Sequence, residues 1–385
     1  MNIVFVLIPE KGHVNPYIGP AQVLAARGHA VTVLAPGDLR AQLAAAGLAF
    51  APDLIPETPG ARPTHGAELV ALIQDAERLA AWIEELLLSD IAAQVKAIRE
   101  SLRRLRAEVV VIDPLYYAAA IAAHAEGTPW ASVSNSLNPV LPPELDSALI
   151  RTTARLGPRR DALFASYGMA ATFRGADVLS PNLTVAFTTE ELCGTVEGIR
   201  LAGPSFPRGR RGDETSLLPI PEGKPVVYAS FGSQIYHWPS LFQRLCDAAR
   251  DEFHLILSVG DLADSLAPAP HCQHYRYAPQ QEILRRTDVF VTHGGANSFM
   301  EAVAAGVPML LSPMCNDQFH QAYFLERAGI GRTADLRLLP VEALRNLLRE
   351  LAGPGPHREA LAALTGSYRR DGAVLAADWV ERLGS

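Results

Sequence analysis

The stretch that decides the fold is YRYAPQQEILRRTDVFVTHGGANSFMEAVAAGVPMLLSPMCNDQFHQAYFLER, residues 275–327. Within it, the apolar run DVFVT predicts a strand, HGGA predicts a turn, and SFMEAVAA predicts a helix that ends at Gly306. Asn297 or Ser298 is the expected helix cap. Glycines at such a turn let the backbone approach a ligand closely, and free amides at a helix N-terminus attract an anion. The stretch therefore indicates a site for a bound diphosphate.

The same alternation of strand and helix extends over both halves of the chain. Apolar runs that predict strands are IVFVLI (3–8), AVTVLAP (30–36), EVVVIDP (108–114), PWASVSN (129–135), PVVYASFGS (225–233), FHLILSVG (253–260), DVFVT (288–292) and PMLLSP (308–313). Strands joined by helices form parallel sheets with helices on their faces, and ligands bind at the carboxyl ends of such strands.

Length and local composition predict the domain organisation. A chain of 385 residues exceeds one ordinary domain. Residues 206–224 are rich in Gly, Pro and charge, which is typical of a linker. We therefore expect one domain over residues 1–205 and a second over 225–360. Residues 361–385 are expected to include a final helix that packs back on the first domain.

Composition and charge exclude several classes of protein. The formal net charge of -7 argues against non-specific nucleic-acid binding. The sequence contains no run of 18 apolar residues, so no membrane-spanning helix is expected. The opening MNIVFVLIPEK lacks a basic lead and is expected to be a buried strand rather than a signal peptide. Four scattered cysteines fit a reducing compartment, so a cytoplasmic location is expected.

No sequence pattern for a metal ion stands out. The chain has no DxD motif, so no metal is expected at the diphosphate. The run HCQH at residues 271–274 lacks a second pair of zinc ligands and is expected to lie in a loop.

Three motifs carry a resemblance to a known family: YAPQ at 277–280, THGGANSFMEAVAAGVP at 292–308, and NDQ at 316–318. Together they resemble the donor-binding signature of nucleotide-sugar-dependent glycosyltransferases of the GT-B type. More narrowly, they resemble the family that glycosylates lipophilic small molecules, including plant secondary-product, macrolide and bacterial carotenoid glycosyltransferases. GHVNP at 12–16 and the two-domain pattern extend the resemblance over most of the chain. It implies an α/β fold with two Rossmann-like domains facing across a cleft.

The resemblance assigns donor-binding roles to particular residues. Tyr277 stands where the family commonly has a tryptophan that stacks on the pyrimidine base. Gln280 would contact the base or ribose, and Glu301 would accept hydrogen bonds from ribose hydroxyls. Asp317 and Gln318 would bind the sugar hydroxyls, a pair similar to that of UDP-glucose users. The residues expected at the diphosphate are Ser230, Gly232, Ser233, His293, Gly295, Ala296, Asn297 and Ser298.

A candidate base lies in the first domain. His13 follows the first strand, and Pro16 is the expected first residue of the next helix, with Asn15 as its cap. An acceptor hydroxyl is a poor nucleophile until a base removes its proton, and histidine titrates in the useful range. The resemblance implies that His13 is the general base and that Asp113 orients it and stabilises the imidazolium.

Candidates for the acceptor pocket are less specific, since core packing is the commoner role of each aromatic residue among them. They are Gly12, Trp82, Tyr116, Tyr117, Trp130 and Phe173.

The expected function is metal-independent transfer of a sugar, with inversion, from a UDP- or dTDP-sugar to a small lipophilic acceptor. UDP-glucose is the favoured donor. Two alternatives stay open: a sugar-nucleotide epimerase of the same fold, and an inactive nucleotide-binding accessory protein. An NAD-dependent oxidoreductase is excluded because no GxGxxG follows either opening strand. The sequence does not specify the natural acceptor, the linkage or the oligomeric state, a homodimer included.

Overall fold

The computed structural model describes residues 1–51, 65–209, 211, 215–266 and 269–384. Four residues of the expected linker, 210 and 212–214, and the final residue 385 lie outside this description. The chain forms two compact units. The first contains the described residues of 1–51, 79–211 and 370–384, and the second contains those of 65–78 and 215–369. Each unit is built on its own parallel sheet, so the predicted α/β class is confirmed.

Within the described residues, the first unit has a seven-stranded sheet in the order β3-β2-β1-β4-β5-β8-β9. Each neighbouring pair in this sheet is parallel. Its strands are β1 (Asn2–Val6), β2 (Ala30–Leu34), β3 (Ala49–Phe50), β4 (Val109–Ile112), β5 (Trp130–Ser134), β8 (Leu183–Ala186) and β9 (Arg200–Leu201). A separate antiparallel pair is formed by β6 (Thr172–Arg174) and β7 (Asp177–Leu179). The central strands are buried because helices cover both faces of a parallel sheet.

Helices of the first unit follow the predicted alternation with strands. They are α1 (Lys11–Ala26), α2 (Arg40–Ala45), α4 (Ala76–Leu88), α5 (Ile91–Leu105), α6 (Tyr117–Ala125), α7 (Ala148–Ser166), α8 (Glu190–Cys193) and α15 (Gly372–Leu383). The first three residues of α4 group with the second unit. The final helix, α15, packs against α1. Arg27 pairs with both Asp378 and Glu381 at 2.6 and 2.9 Å.

The start of α1 differs from the expectation. The helix begins at Lys11 rather than at Pro16, so both Pro16 and Pro20 lie inside it and Asn15 is not its cap. Proline in a helix interior removes the hydrogen bond to the carbonyl four residues earlier. Here side chains replace both missing donors: Asn135 Nδ2 donates to Gly12 O at 2.9 Å, and Ser205 Oγ donates to Pro16 O at 2.6 Å. The helix therefore continues through two prolines because tertiary neighbours supply the partners.

The second unit has a six-stranded parallel sheet within its described residues, in the order β12-β11-β10-β13-β14-β15. Its strands are β10 (Val226–Ser230), β11 (His254–Ser258), β12 (Cys272–Tyr275), β13 (Val289–Thr292), β14 (Met309–Leu311) and β15 (Gly331–Thr333). The expectation of a loop over 271–274 is wrong, because Cys272–Tyr275 forms the edge strand β12. Its sequence, CQHY, has no apolar alternation, and pairing with β11 alone defines it.

The helices of the second unit are α3 (Gly66–Ile73), α9 (Pro239–Ala249), α10 (Gln280–Leu284), α11 (Ala296–Ala305), α12 (Gln318–Ala328), α13 (Val341–Ala352) and α14 (Pro356–Ser367). Helix α11 begins two residues before the predicted SFMEAVAA helix, so Gly295 is its N-cap rather than Asn297 or Ser298. None of the helices in the described part of the chain combines the length and apolar character needed to cross a bilayer.

Candidate active site

His13 and Asp113 lie together at the carboxyl edge of the first sheet. β1 and β4 are parallel neighbours with Val6 opposite Ile112, so the chain leaves both strands at the same edge. His13 Nδ1 lies 2.6 Å from Asp113 Oδ2. The Asp113 side chain is fully buried, whereas the His13 side chain is 21% exposed. This geometry orients one ring nitrogen on a carboxylate and directs Nε2 away from it.

The surroundings of Asp113 hold its carboxylate in place. Its second oxygen, Oδ1, accepts a hydrogen bond from the Leu115 amide at 3.0 Å. Burial, with the nearby Asp113 carboxylate as a further cause, raises the pKa of Tyr17 well above its ordinary value. The Tyr17 hydroxyl therefore stays protonated and donates to Val133 O at 2.5 Å. His13 Nδ1 and the Leu115 amide thus contact the two oxygens of the carboxylate, one each.

Asn135 joins this pair, and sequence reasoning missed it. Its Nδ2 lies 3.1 Å from His13 Nδ1 and donates to Gly12 O, the carbonyl that Pro16 leaves without a helical donor. Asn135 ends the run PWASVSN, and β5 neighbours β4 in the sheet. A signal did exist in the sequence: an amide residue at the carboxyl end of a strand, together with a proline four residues after Gly12.

His293 lies at the carboxyl edge of the second sheet, between two glycines. A Cβ atom at Gly232 would lie 2.8 Å from His293 Cε1, and one at Gly295 would lie 2.9 Å from His293 Nε2. Only glycine at these two positions leaves room for the ring. Burial lowers the pKa of His293 to about 4, although the Asp317 carboxylate opposes that shift. The ring is therefore neutral at pH 7.

The N-terminus of α11 adjoins this histidine. Its N-cap residue, Gly295, supplies no side-chain hydrogen bond to the first turn of the helix. Helix N-termini of this kind are typical sites for anions. Ser230 ends β10 next to β13, with its Cα opposite Thr292, and its Oγ accepts a hydrogen bond from Gly232 N at 3.3 Å. Ser233 follows in the same loop and is half-buried.

Gln280, Ser298 and Glu301 form one hydrogen-bonded cluster. Gln280 Nε2 donates to Glu301 Oε2 at 2.7 Å and to Ser298 Oγ at 3.1 Å. Gln281 Nε2 donates to the other oxygen of Glu301 at 3.1 Å. Tyr277 lies three residues before Gln280 and is half-buried. The structure therefore brings together Gln280 and Glu301, which the resemblance assigns to the nucleoside, with Ser298, which it assigns to the diphosphate.

Asp317 and Gln318 lie at the start of α12, where Asp317 is the N-cap residue. Asp317 Oδ2 accepts a hydrogen bond from Gln321 Nε2 at 2.9 Å. Gln318 is buried, and its Oε1 accepts from the amides of Met314 and Cys315 at 2.8 and 3.1 Å. Gln318 thus fixes the loop before α12 through its carbonyl oxygen.

The candidate acceptor residues fall into two groups. Tyr117 and Trp130 are buried in the apolar core of the first unit, and the half-buried Phe173 packs edge-on against Tyr117. Trp82 and Tyr116 pack in the same apolar cluster, and each has one polar atom buried there. Within the described residues, neither Trp82 Nε1 nor the Tyr116 hydroxyl has a hydrogen-bond partner. Gly12 contributes the carbonyl held by Asn135.

Among the residues that the structure describes, no group of three or more His, Cys, Asp or Glu side chains is arranged to hold a metal ion. At the carboxyl edge of the second sheet lie the start of α11, the Ser230 hydroxyl and the neutral imidazole of His293.

Comparison with known proteins fits this geometry. Residues 223–371 match the family described as UDP-glucoronosyl and UDP-glucosyl transferase. The chain is 26% identical over 420 residues to demethyllactenocin mycarosyltransferase of Streptomyces fradiae, covering 99% of this chain and 86% of that protein. The crystal structure of the glycotransferase of kitacinnamycin has a TM-score of 0.79 and 25% identity, covering 99% and 98%. The glycosyltransferase VinC, solved in complex with dTDP, has a TM-score of 0.74 and 17% identity, covering 100% and 99%.

The two parallel-sheet units and these similarities establish a GT-B fold. The resemblance of its motifs to small-molecule UDP-glycosyltransferases is confirmed by the family match over residues 223–371 and by the similarity to a named glycosyltransferase over 99% of the chain. The chain is therefore a nucleotide-sugar-dependent glycosyltransferase.

Proposed function

We propose that this protein transfers a sugar from a UDP- or dTDP-sugar to a hydroxyl of a natural-product acceptor, with inversion and without a metal ion. The observation that carries the proposal is the 2.6 Å contact between His13 Nδ1 and the fully buried carboxylate of Asp113. A neutral histidine with its Nδ1–H on a carboxylate presents Nε2 as a base. That is the group an acceptor hydroxyl needs.

In the proposed reaction, His13 Nε2 takes the proton of the acceptor hydroxyl as its oxygen attacks the anomeric carbon of the donor. The bond from that carbon to the diphosphate oxygen breaks, and the nucleoside diphosphate leaves with the electron pair. Asp113 stabilises the imidazolium that forms. Attack opposite the leaving group inverts the configuration, so an α-linked donor yields a β-glycoside.

Asn135 acts as a positioning residue in this scheme. By donating to Gly12 O, it fixes the first turn of α1 from which His13 projects. Its distance of 3.1 Å from Nδ1 also restricts rotation of the ring.

The donor is held by the second unit. First-turn amides of α11 and the Ser230 loop would bind the diphosphate, and neutral His293 would donate a hydrogen bond without adding charge. Glu301 would accept from the ribose hydroxyls and Tyr277 would stack on the base. VinC was solved with dTDP and the family description refers to UDP-sugars, which supports either nucleotide.

UDP-glucose is the first sugar to test because Asp317 and Gln318 follow the pattern of glucose users. The Asp317 carboxylate already accepts a hydrogen bond from Gln321. The side-chain carbonyl of Gln318 accepts hydrogen bonds from the amides of the preceding loop. Asp317 Oδ1 is therefore the atom that we assign to a sugar hydroxyl, together with the second hydrogen of the Gln318 amide nitrogen, whose first is directed at Cys315 Sγ at 3.6 Å.

The acceptor is proposed to be a natural product with apolar surface and carbonyl or hydroxyl groups. Two similar proteins are named for natural products, demethyllactenocin and kitacinnamycin, which supports this class. The Trp82 indole N–H and the Tyr116 hydroxyl, both buried without a described partner, would donate to acceptor oxygens.

The test is to incubate the protein with UDP- and dTDP-glucose and a panel of phenolic and polyketide acceptors. Mass spectrometry detects product, and the anomeric coupling constant gives its configuration. We expect a β-glycoside, undiminished by excess EDTA. An α-product would overturn inversion, and loss of activity in EDTA restored by magnesium would overturn metal independence. Donor alone that yields an isomerised sugar would instead favour an epimerase.

A further inference from the structure

Two thiols of the second unit lie side by side, away from the proposed catalytic groups. Cys246 is in helix α9, Cys272 is in edge strand β12, and their Sγ atoms are 3.9 Å apart. Both residues are half-buried, so they are neither sealed in the core nor fully exposed. Neither residue belongs to the motifs that carry the family resemblance.

Backbone contacts on both sides hold the two thiols near each other. His271 Nε2 lies 2.9 Å from Cys246 O, which ties the helix to the residue just before β12. Cys272 pairs with Leu255 of β11, and α9 packs on β11. A disulfide has a sulfur–sulfur length of about 2 Å, so the sulfurs need to approach by about 2 Å. Rotation of the two side chains, with a small movement of the edge strand, can supply that approach.

The two thiols differ in reactivity because one donates to the other. The hydrogen bond between the two sulfurs lowers the pKa of Cys246. The same bond, together with burial, raises the pKa of Cys272 well above its ordinary value. The thiolate is the nucleophile in disulfide exchange, so Cys246 is the residue that attacks first.

We propose that Cys246 and Cys272 form a dithiol modification site that closes to an intrachain disulfide by exchange with a low-molecular-weight disulfide. The Cys246 thiolate attacks one sulfur of the small disulfide, forming a mixed disulfide and releasing one small thiolate. Cys272 then loses its proton and attacks the Cys246 sulfur, releasing the second small thiol. The protein dithiol is oxidised by two electrons, and the small disulfide is reduced to two thiols.

The position of the pair gives its oxidation a consequence for the donor site. β12 ends at Tyr275, two residues before Tyr277, which the proposed function places on the nucleotide base. Closing the disulfide draws β12 toward α9 and restrains the segment that leads to Tyr277. We expect the oxidised protein to bind UDP or dTDP several-fold more weakly. This consequence rests on the proposed function, whereas formation of the disulfide does not.

The first experiment treats the folded protein with oxidised glutathione, blocks free thiols with an alkylating reagent and maps peptides by mass spectrometry. We expect a cross-link between the peptides of Cys246 and Cys272, reversed by a reducing agent. Cys272→Ser should instead retain one glutathione on Cys246. Cys193→Ser, which removes another half-buried cysteine, should cross-link like the parent protein. No cross-link, two bound glutathiones, or a cross-link that includes Cys193 would overturn the site.

The second experiment measures UDP and dTDP affinity before and after oxidation, with Cys272→Ser as the control that cannot close. A several-fold loss in the parent protein alone supports the link to the donor site. Equal affinities in a protein shown to be cross-linked would overturn that link and leave the modification site standing. A reduced protein that binds neither nucleotide would contradict the proposed function instead.

Discussion

His13 and His293 occupy comparable places in the two units, yet their surroundings are opposite. Each lies at the carboxyl edge of a parallel sheet, near the N-terminus of the following helix. His13 has a buried carboxylate 2.6 Å from its Nδ1 and keeps one ring edge partly exposed. His293 is buried between Gly232 and Gly295, and its pKa is lowered to about 4. The same side chain is thus arranged for proton transfer in one unit and for neutrality in the other.

The difference teaches that the neighbours of a histidine, rather than its place in the fold, decide its chemistry. A carboxylate stabilises the charged ring and burial disfavours it, and at His293 burial outweighs the nearby Asp317 carboxylate. An imidazolium formed at His13 would be offset by Asp113. At His293 burial keeps the ring neutral at pH 7, so one of its two nitrogens carries a hydrogen and the other does not. Four experiments test this contrast between the two histidines.

The largest effect is expected for His13→Ala. Loss of the general base should lower kcat by about 10²–10⁴-fold. UDP and dTDP affinity should stay unchanged, because the donor groups belong to the second unit. Single-turnover kinetics and calorimetry measure the two quantities, and His124→Ala, which removes an exposed histidine of α6, is the matched control. Normal turnover in the His13 variant would disprove the base assignment.

Asp113→Asn should come next. The amide cannot neutralise an imidazolium and can turn an N–H toward His13 Nδ1, which favours the wrong tautomer. The expected loss in kcat is about 10²-fold, smaller than for the base itself. Asp38→Asn serves as the control because Asp38 is exposed. If Asp113→Asn were as active as Asp38→Asn, the Asp113 carboxylate would only support the fold.

The third effect is on stability and concerns His293. Folded His293 stays neutral down to about pH 4, whereas an unfolded histidine takes up a proton below about pH 6.5. The unfolded state therefore binds more protons in this window, and stability rises with pH across it. When the pH is lowered from 6.5 to 5, the free energy of unfolding should fall by about 1.5 kcal/mol more in the parent protein than in His293→Gln. Urea unfolding at several pH values measures this difference.

Other buried histidines with lowered pKa, His254 and His320, are present in both proteins and cancel in that comparison. Parallel pH profiles for the parent and the His293 variant would contradict the neutral assignment.

The smallest effect is expected for Gly232→Ala, which crowds His293 without removing it. The new Cβ would lie 2.8 Å from the ring, at a residue with φ +78°. We expect UDP and dTDP affinity to fall by about tenfold because the ring must shift, and the left-handed backbone to cost about 1–2 kcal/mol of stability in addition. Gly223→Ala is the matched control, because Gly223 has φ +95° and open space around it. Equal losses in both variants would assign the effect to backbone strain alone.

Much of this architecture could be predicted from the sequence, because apolar runs and turn residues report local structure directly. The eight predicted strands all form, and the HGGA turn precedes a helix that ends before Gly306, as expected. The edge strand Cys272–Tyr275 could not be predicted, since its polar sequence is strand only through pairing with β11. The start of α1 was also misplaced, because proline is a local signal for a helix start and the compensating donors come from Asn135 and Ser205.

The candidate site also has a part that could be predicted from the sequence and a part that could not. The family resemblance predicted roles for His13, Asp113, Gln280 and Glu301, and the structure brings them into two hydrogen-bonded groups. The spacing of residues in the sequence did not predict that Asn135 contacts His13 or that two glycines pack on His293. It also did not predict that the side-chain carbonyl of Gln318 accepts hydrogen bonds from the loop before α12. Those are contacts between segments distant in the chain or between side chain and local backbone, which a one-dimensional pattern does not encode.

The sequence by itself determined two α/β units and the residue types that meet at their strand ends, because periodicity and turn chemistry act over a few neighbouring residues. Only the tertiary structure decided the charge state of His293, the partners of His13 and the pairing of Cys246 with Cys272. Burial and distance between remote segments set those properties, and both arise only when the sheets have formed.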